Sequence, residues 1–422
     1  MASIRFAPVF AGLFVLWPLL AVLGGQGYSP LLALMAIGGL AFLRWPQWTA
    51  PGIWWLAAAW AVTASAWALA DQPAGLVSGG LGSGDFAIDS TAMRIILTAV
   101  CINVVLLSLR SVKDAHGPRS AQLILLAGFA HLALVALLPL LYPVVTALVY
   151  TPDETEREGL QNALRAINAL ALVLPMLLAW AWHTPPHLTR RFGAVGCMAI
   201  VVVSALAMGN QAAILAVAAA LGAMALVWLM PRSAYRFLFS VTAMYALAAP
   251  FLLGRVATLA ANAGVTLPGS FQSRAWSWQV TAERIEVQPL LGYGLEATSN
   301  WRETYSSRPE WLEKIVSEGG NEAAWSIYRI VPGHPHNMAL EIWAETGLVG
   351  AGIVALALTV TGFTAPRPAR LPLVTRYALA GLFGATLVFF SLAYSVWNEA
   401  FWASVIIAAV ATVIVGRTKG TP

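Results

Sequence analysis

Charge is scarce in this sequence. Asp, Glu, Lys and Arg together make up 10% of its 422 residues, where a soluble globular chain carries about 25%. That scarcity, with 59% hydrophobic residues and a mean hydropathy of +0.73, excludes a water-soluble core, a disordered chain and a fibrous one. It also excludes a nucleic-acid partner, because the net charge is only +5. Cysteine is nearly absent: Cys101 and Cys197 are the only two and both sit in apolar runs, so there is no disulfide framework or Cys-based metal site. Histidine is sparse as well. His334 and His336 lie close together, but no third ligand has suitable spacing, so no metal and no other cofactor is expected.

What is abundant is uninterrupted apolar sequence. A spanning helix needs about 20 apolar residues, because about 30 Å of hydrocarbon is crossed at 1.5 Å per residue. Such runs fall near 8–24, 28–43, 51–70, 92–109, 120–148, 163–182, 193–208, 210–230, 236–254, 337–363, 376–396 and 399–416. The expectation is therefore an all-α, polytopic membrane protein with about 12 transmembrane helices and one large loop on the outer side. The runs at 193–208 and 210–230 are joined by almost nothing, which implies a hairpin at Gly209–Asn210 rather than one long bent helix. Basic residues favour the hairpin. With the N-terminus inside, the inner segments hold 14 of the 24 Lys and Arg residues and one acid, Asp114, as the positive-inside rule requires. Both termini are then cytoplasmic. The first run has no convincing cleavage site and reads as an uncleaved helix.

This divides the chain into 1–254, nine spans with short loops; 255–336, a large outer loop; and 337–422, three further spans. The outer loop holds seven basic residues, eight Glu residues and five tryptophans. A loop of that length is usually functional. The inner loops are all short, so chemistry belongs to the outer face, away from ATP. A substrate there must arrive already activated and anchored to lipid. The segment 71–91, rich in Gly and Ser, reads as flexible loop.

Four groups of residues carry candidate chemistry. The loop exit reads GHPHNMALEIWAETGLVGAG. Asn337 suits a helix cap, which leaves His336 at the outer mouth of the helix, able to exchange a proton near neutral pH. Gly347, Gly350 and Gly352 would let helices approach closely. Arg274 lies in SFQSRAWSWQVTAERIEVQPLLGYG, where 274–287 reads as an amphipathic surface helix ended by the PLLGYG turn. Arg274 and Trp278 share one face of it, and a guanidinium fork matches phosphate oxygens. Arg157, Glu158 and Arg165 form a third group. Arg165 starts a span, where an unpaired cation is costly unless it faces a cavity, an anion or a Glu partner. Glu341 and Glu345, one and two turns into the tenth span, could orient His336 or, more commonly, pair with an arginine. Arg94 reads as an interface anchor and His131 as a buried, hydrogen-bonded histidine.

Many spans, a large late outer loop, and His336-Asn337 followed by Gly347 and Gly350 resemble the O-antigen ligase family of the bacterial inner membrane. Arg274 in SR-x-x-W, followed by PLLGYG, resembles its loop pattern, and Arg157-Glu158-Gly159 resembles a stretch of an earlier outer loop. GNQAAILA at 209–216 departs from the Ser-Arg that relatives often carry there. The resemblance implies a GT-C-like glycosyltransferase with its active site facing the periplasm. Such an enzyme moves a glycan from undecaprenyl pyrophosphate to a sugar hydroxyl of lipid A–core, inverting the anomeric carbon without metal or ATP. It implies His336 and Arg274 as catalytic residues, with Arg157, Arg165, Asn337, Trp278 and Glu158 around the pyrophosphate and acceptor. Its partners would be the lipid-linked glycan, lipid A–core and the phospholipid bilayer. Within the same superfamily, an O-antigen polymerase or a protein O-oligosaccharyltransferase remains open. A lipid or polysaccharide transporter is the alternative of another class, disfavoured because the two halves of the chain differ so sharply.

Overall fold

The computed structural model describes residues 6–43, 52–68, 77–78, 85–86, 89–110, 112, 118–149, 159–184, 187–265, 269–317 and 321–417. Its elements, in chain order, are α1 (Phe6–Phe14), α2 (Trp17–Val22), α3 (Tyr28–Leu40), α4 (Gly52–Ala64), β1 (Val77–Ser78), β2 (Asp85–Phe86), α5 (Thr91–Leu109) and α6 (Pro118–Val149). These are followed by α7 (Leu160–His183), α8 (His187–Ala207), α9 (Gln211–Leu229), α10 (Ala234–Leu253), α11 (Val256–Asn262) and α12 (Gly269–Val287). The remainder are α13 (Pro309–Ser317), α14 (Glu322–Ile327), α15 (Met338–Thr364), α16 (Leu373–Leu392) and α17 (Glu399–Gly416). Among the described residues the regular structure is helical apart from one antiparallel ladder of two residue pairs, Val77 with Phe86 and Ser78 with Asp85, and an isolated bridge between Thr304 and Arg329. That ladder falls in the Gly- and Ser-rich stretch read from sequence as plain loop.

Among the described residues nine helices are long and apolar enough to cross a membrane: α5 to α10 and α15 to α17. The protein is thus a multi-pass membrane protein. The first three apolar runs are helical too, but shorter. Pro18 restarts the first run as a second helix. The 13 residues of α3 and the 13 of α4 reach about 20 Å at 1.5 Å per residue. They pack against long helices, α3 on α5 and α4 on α15. Trp17 stacks on Tyr28 at 4.2 Å, Ser108 Oγ at the end of α5 donates to the Gly39 carbonyl at 2.9 Å, and α4 lies antiparallel to α15. Along that pair Trp54 Nε1 donates to Thr361 Oγ1 at 2.9 Å and Trp60 Nε1 to the Thr346 carbonyl at 3.1 Å.

The Gly209–Asn210 hairpin is present. Gly209 has φ 68°, and Asn210 caps α9 by accepting from the Ala213 N–H at 3.1 Å. Its amide donates to Asn168 Oδ1 at 2.9 Å and to the Leu164 carbonyl at 3.0 Å. α9 then returns alongside α16, with Ala219 against Gly384 and Met224 against Gly381. α7 is the bundle's axis, buried on nearly every side, whereas outer helices present Leu, Phe and Trp residues outward, as lipid requires. His131 is buried as expected: Trp17 Nε1 donates to its Nδ1 at 3.0 Å, and its Nε2 lies 3.1 Å from the Ala166 carbonyl.

Candidate functional site: a histidine and an arginine at the helix mouth

The site is built where the long loop enters α15. Asn337 caps the helix, its Oδ1 accepting from the Leu340 N–H at 3.0 Å. Its amide donates to the Tyr245 hydroxyl at 2.6 Å and to the Ser391 carbonyl at 3.0 Å. Both ends of that fully buried side chain are therefore engaged inside the protein. The preceding residue, His336, is held at φ 52°, a left-handed conformation uncommon for a side chain of this size. Its peptide N–H donates to His334 Nδ1 at 3.1 Å, and the two rings lie 4.3 Å apart. Nδ1 of His336 faces the Ala393 carbonyl at 3.4 Å.

Helix α12 forms the other wall. Trp278 is buried and donates its indole N–H to the Pro335 carbonyl at 2.9 Å, pinning the residue before His336. Arg274, one turn earlier on the same face, sits with its guanidinium carbon 5.6 Å from the Phe271 ring. Its charge acts on both imidazoles. Burial first, and Arg274 second, push His336 down to about 4, against a weaker opposing pull from the Ala393 carbonyl. Burial, His336 and Arg274 in that order push His334 down to about 3. Burial also draws Arg274 below its ordinary value. At neutral pH the site thus holds two uncharged imidazoles near the Arg274 guanidinium. An uncharged imidazole can accept a proton, and the cation can face an anion. Among the described residues no three His, Cys, Asp or Glu side chains gather in a metal-binding group.

Helix α12 is less of a surface helix than its sequence suggests. Ala275, Trp276, Ser277, Trp278, Val280, Thr281 and Ala282 are all buried, because α15 and the loop behind α12 cover more than one face. PLLGYG does end it, and does more. Gly347 has φ 67° and ψ −170° and interrupts α15. The 289–294 turn docks backbone to backbone in that break: the Leu348 N–H donates to the Pro289 carbonyl at 2.8 Å, Tyr293 N–H to Ala344 at 2.8 Å and Gly294 N–H to Glu345 at 2.9 Å. Gly347 therefore admits a loop rather than a neighbouring helix. Gly350 packs against Thr346 and Trp60, and Gly352 faces open space.

Arg165 lies elsewhere on the same side of the bundle. It donates to Asn162 Oδ1 at 3.2 Å and lines a cleft of about 30 Å³ with Tyr28, Asn168, Tyr394 and Asn398. Tyr394 follows Ala393, so Arg165 and His336 flank one short stretch of chain. Arg157 and Glu158 lie outside the described residues. Among the described residues neither Glu341 nor Glu345 pairs with an arginine, and neither bonds to His336 directly. Glu341 accepts from Ser395 Oγ and the Val396 N–H, both at 2.7 Å. Glu345 accepts from the Glu296 N–H at 2.7 Å, Thr298 Oγ1 at 2.7 Å and Trp397 Nε1 at 2.6 Å. Loops folding over the helix mouth supply the donors that arginines were expected to give. Arg94, read as an anchor, instead bridges Glu296 at 3.8 Å and Glu399 at 3.4 Å. Sequence reasoning missed the parts played by Tyr245, Ser391 and Ala393, which lie in ordinary apolar spans.

Two apolar clefts flank α15. One, of about 590 Å³, is lined by Trp60, Asn103, Ile342 and Trp402, with Arg94 and Glu399 at one end. The other, of about 890 Å³, runs along Ile342, Phe390 and Val405 to Arg370 and Arg417. Both reach Ile342, less than two turns from His336.

Fold and site together define a multi-pass membrane protein with an arginine and two histidines gathered where its long loop enters α15. Residues 196–355, from α8 past the break in α15, match the family model described as O-Antigen ligase; this chain carries an O-antigen ligase family domain. The match takes in Arg274, Trp278, His336, Asn337 and Gly347. No curated protein and no solved structure matches the chain.

Proposed function

We propose that the protein is a GT-C-like glycosyltransferase of the bacterial inner membrane, an O-antigen ligase that transfers a glycan from undecaprenyl pyrophosphate to a sugar hydroxyl of lipid A–core. The observation that carries this reading is the docking of α12 on the mouth of α15, where Trp278 Nε1 donates to the Pro335 carbonyl at 2.9 Å and brings Arg274, one turn earlier, towards His336. Counting the first three apolar runs as spans beside the nine long helices gives twelve crossings and puts both termini on one side of the membrane. Orientation follows from charge. Among the described residues the short connections and helix ends that hold Arg110, Arg232, Arg367, Arg370, Arg376 and Arg417 carry no acid, whereas the arginines of the 255–336 segment stand among Glu residues; the first set marks the cytoplasmic end by the positive-inside rule. The 255–336 segment is then periplasmic and bears the catalytic residues.

In the transfer, the acceptor hydroxyl oxygen attacks the anomeric carbon of the donor as the bond to the pyrophosphate oxygen breaks. His336 takes the hydroxyl proton, and the electron pair leaves with undecaprenyl pyrophosphate. One displacement inverts the anomeric carbon. Arg274 neutralises charge developing on the leaving group, the role that fixed cations play in such transfers. Arg165, across Tyr394, and Arg157 and Glu158, from the preceding loop, complete the binding of pyrophosphate and acceptor. Trp278 and Asn337 shape the site from behind. The two clefts beside α15 offer apolar room for lipid tails, and both substrates share one leaflet, so their encounter is confined. The energy resides in the pyrophosphate linkage, so neither ATP nor another cofactor enters the scheme.

Reconstitution with undecaprenyl-pyrophosphate-linked glycan and rough lipopolysaccharide tests the proposal. Glycan appearing on lipid A–core supports it. Glycan lengthening on undecaprenyl pyrophosphate instead would make the protein a polymerase, and no covalent product at all would reject the transferase reading.

A further inference from the structure

The stretch 391–397, between α16 and α17, is gripped by successive residues of one helix mouth. Asn337 holds the Ser391 carbonyl at 3.0 Å. Nδ1 of His336 faces the Ala393 carbonyl at 3.4 Å. Glu341, 1% exposed, receives Ser395 Oγ and the Val396 N–H, each at 2.7 Å, and Glu345 receives Trp397 Nε1 at 2.6 Å. Ser395 Oγ in turn accepts from the Trp397 N–H at 3.1 Å. The Glu341 carboxylate therefore holds the middle of this stretch, next to the one carbonyl that meets the histidine. A carbonyl oxygen only accepts, so the ring atom facing it must carry the proton of a neutral imidazole.

We propose that Glu341 is a positioning residue for His336: by tying down Ser395 and Val396 it fixes the Ala393 carbonyl against Nδ1, so that His336 keeps its proton on Nδ1 and presents a bare Nε2. Resting on the transferase reading, Nε2 is then the atom that takes the acceptor proton. His334 is locked the opposite way, because its Nδ1 accepts the His336 peptide N–H and its proton belongs on Nε2. Loss of Glu341 leaves the Asn337 and Glu345 grips in place. The stretch stays attached at both ends, and only its middle is released.

The test reads the tautomer directly. Full-length protein labelled with ¹⁵N-histidine is held in lipid nanodiscs at pH 7, with His336 assigned by comparison with His336→Gln. The expected pattern is Nδ1–H for His336 in wild type and in Glu341→Gln, whose amide can still bridge Ser395 and Val396, but a mixture of tautomers in Glu341→Ala. Transfer by Glu341→Ala should fall by about tenfold or more in kcat with little change in donor KM, because a wrong tautomer removes general-base catalysis; Glu341→Gln should restore it. An Nε2–H wild type, or a Glu341→Ala protein with wild-type tautomer and kcat, overturns the proposal. Should Glu341→Ala not accumulate, Ser395→Ala removes one of the two bonds and must shift the tautomer in the same direction. Because the spectrum needs no substrate, failure of glycan transfer in all variants would sink the transferase reading and leave the tautomer result standing.

Discussion

Replacing Gly347 by Ala tests how the site is assembled. Gly347 occupies φ 67°, ψ −170°, a region essentially reserved for glycine, which costs other residues about 1–3 kcal/mol. A Cβ there would also collide with the Leu290 carbonyl. Relief of that collision pushes the 289–294 turn out of the break, at the expense of the bonds from Leu348 N–H at 2.8 Å and Val349 N–H at 3.3 Å. Each is worth about 0.5–1.5 kcal/mol net. The combined loss is about 2–6 kcal/mol. Gly352 supplies the control: it sits in the same helix with nothing near its Cβ position. An alanine there should be neutral or stabilising by about 0.5–1 kcal/mol. Thermal unfolding of both variants in detergent measures the contrast. A Gly347→Ala protein as stable as Gly352→Ala would refute the docked-turn account.

His336→Ala should abolish transfer, by about 10²–10⁴-fold, while leaving thermal unfolding nearly unchanged; transfer at the wild-type rate would remove His336 from the mechanism. Arg274→Lys should recover only part of the activity lost in Arg274→Gln, because an ammonium lacks the guanidinium fork; full recovery would mean that a point charge suffices. Because His336 is pushed down to about 4, transfer should persist on acidification below pH 6 and fail only near that value. The same shift fixes the sign of the stability change: the unfolded chain binds the proton more readily, so stability is lost as pH falls from the ordinary histidine range towards 4. An acid limb near 6.5 in a rate profile would contradict the burial of His336. Arg308 pairs with Glu283 at 2.8 Å and Glu303 at 2.9 Å, but all three side chains are partly exposed, so Arg308→Ala should cost less than about 1 kcal/mol in thermal unfolding.

Most of the fold was legible in the sequence, for a physical reason. Lipid makes every spanning helix satisfy its own backbone, so apolar length alone marks it, and the Gly209–Asn210 hairpin followed from charge placement. The lengths of α1 to α4 were not legible, since run length records hydrophobicity and not where the helix stops. The mouth of α15 was half legible. Asn337 next to His336 announced a cap with the imidazole at the helix mouth, and Arg274 with Trp278 announced one helix face. Glu341, four residues after Asn337, stood on that same side, but its donors come from Ser395 and Val396, more than fifty residues away. No local pattern names such partners. PLLGYG and Gly347 both stand out in the sequence, yet their pairing depends on a broken helix that periodicity cannot show. Arg94 was misread for a related reason: its carboxylates, Glu296 and Glu399, are distant in the chain.

The central claim is that Arg274 and His336 act on one transfer event. A double-mutant cycle on the reconstituted protein tests it, with glycan on lipid A–core quantified for wild type, His336→Ala, Arg274→Gln and the pair. Residues acting as a unit are strongly non-additive, so the double variant should be hardly slower than the worse single variant. Two full, independent losses that multiply, or wild-type protein that moves no glycan, would contradict the account.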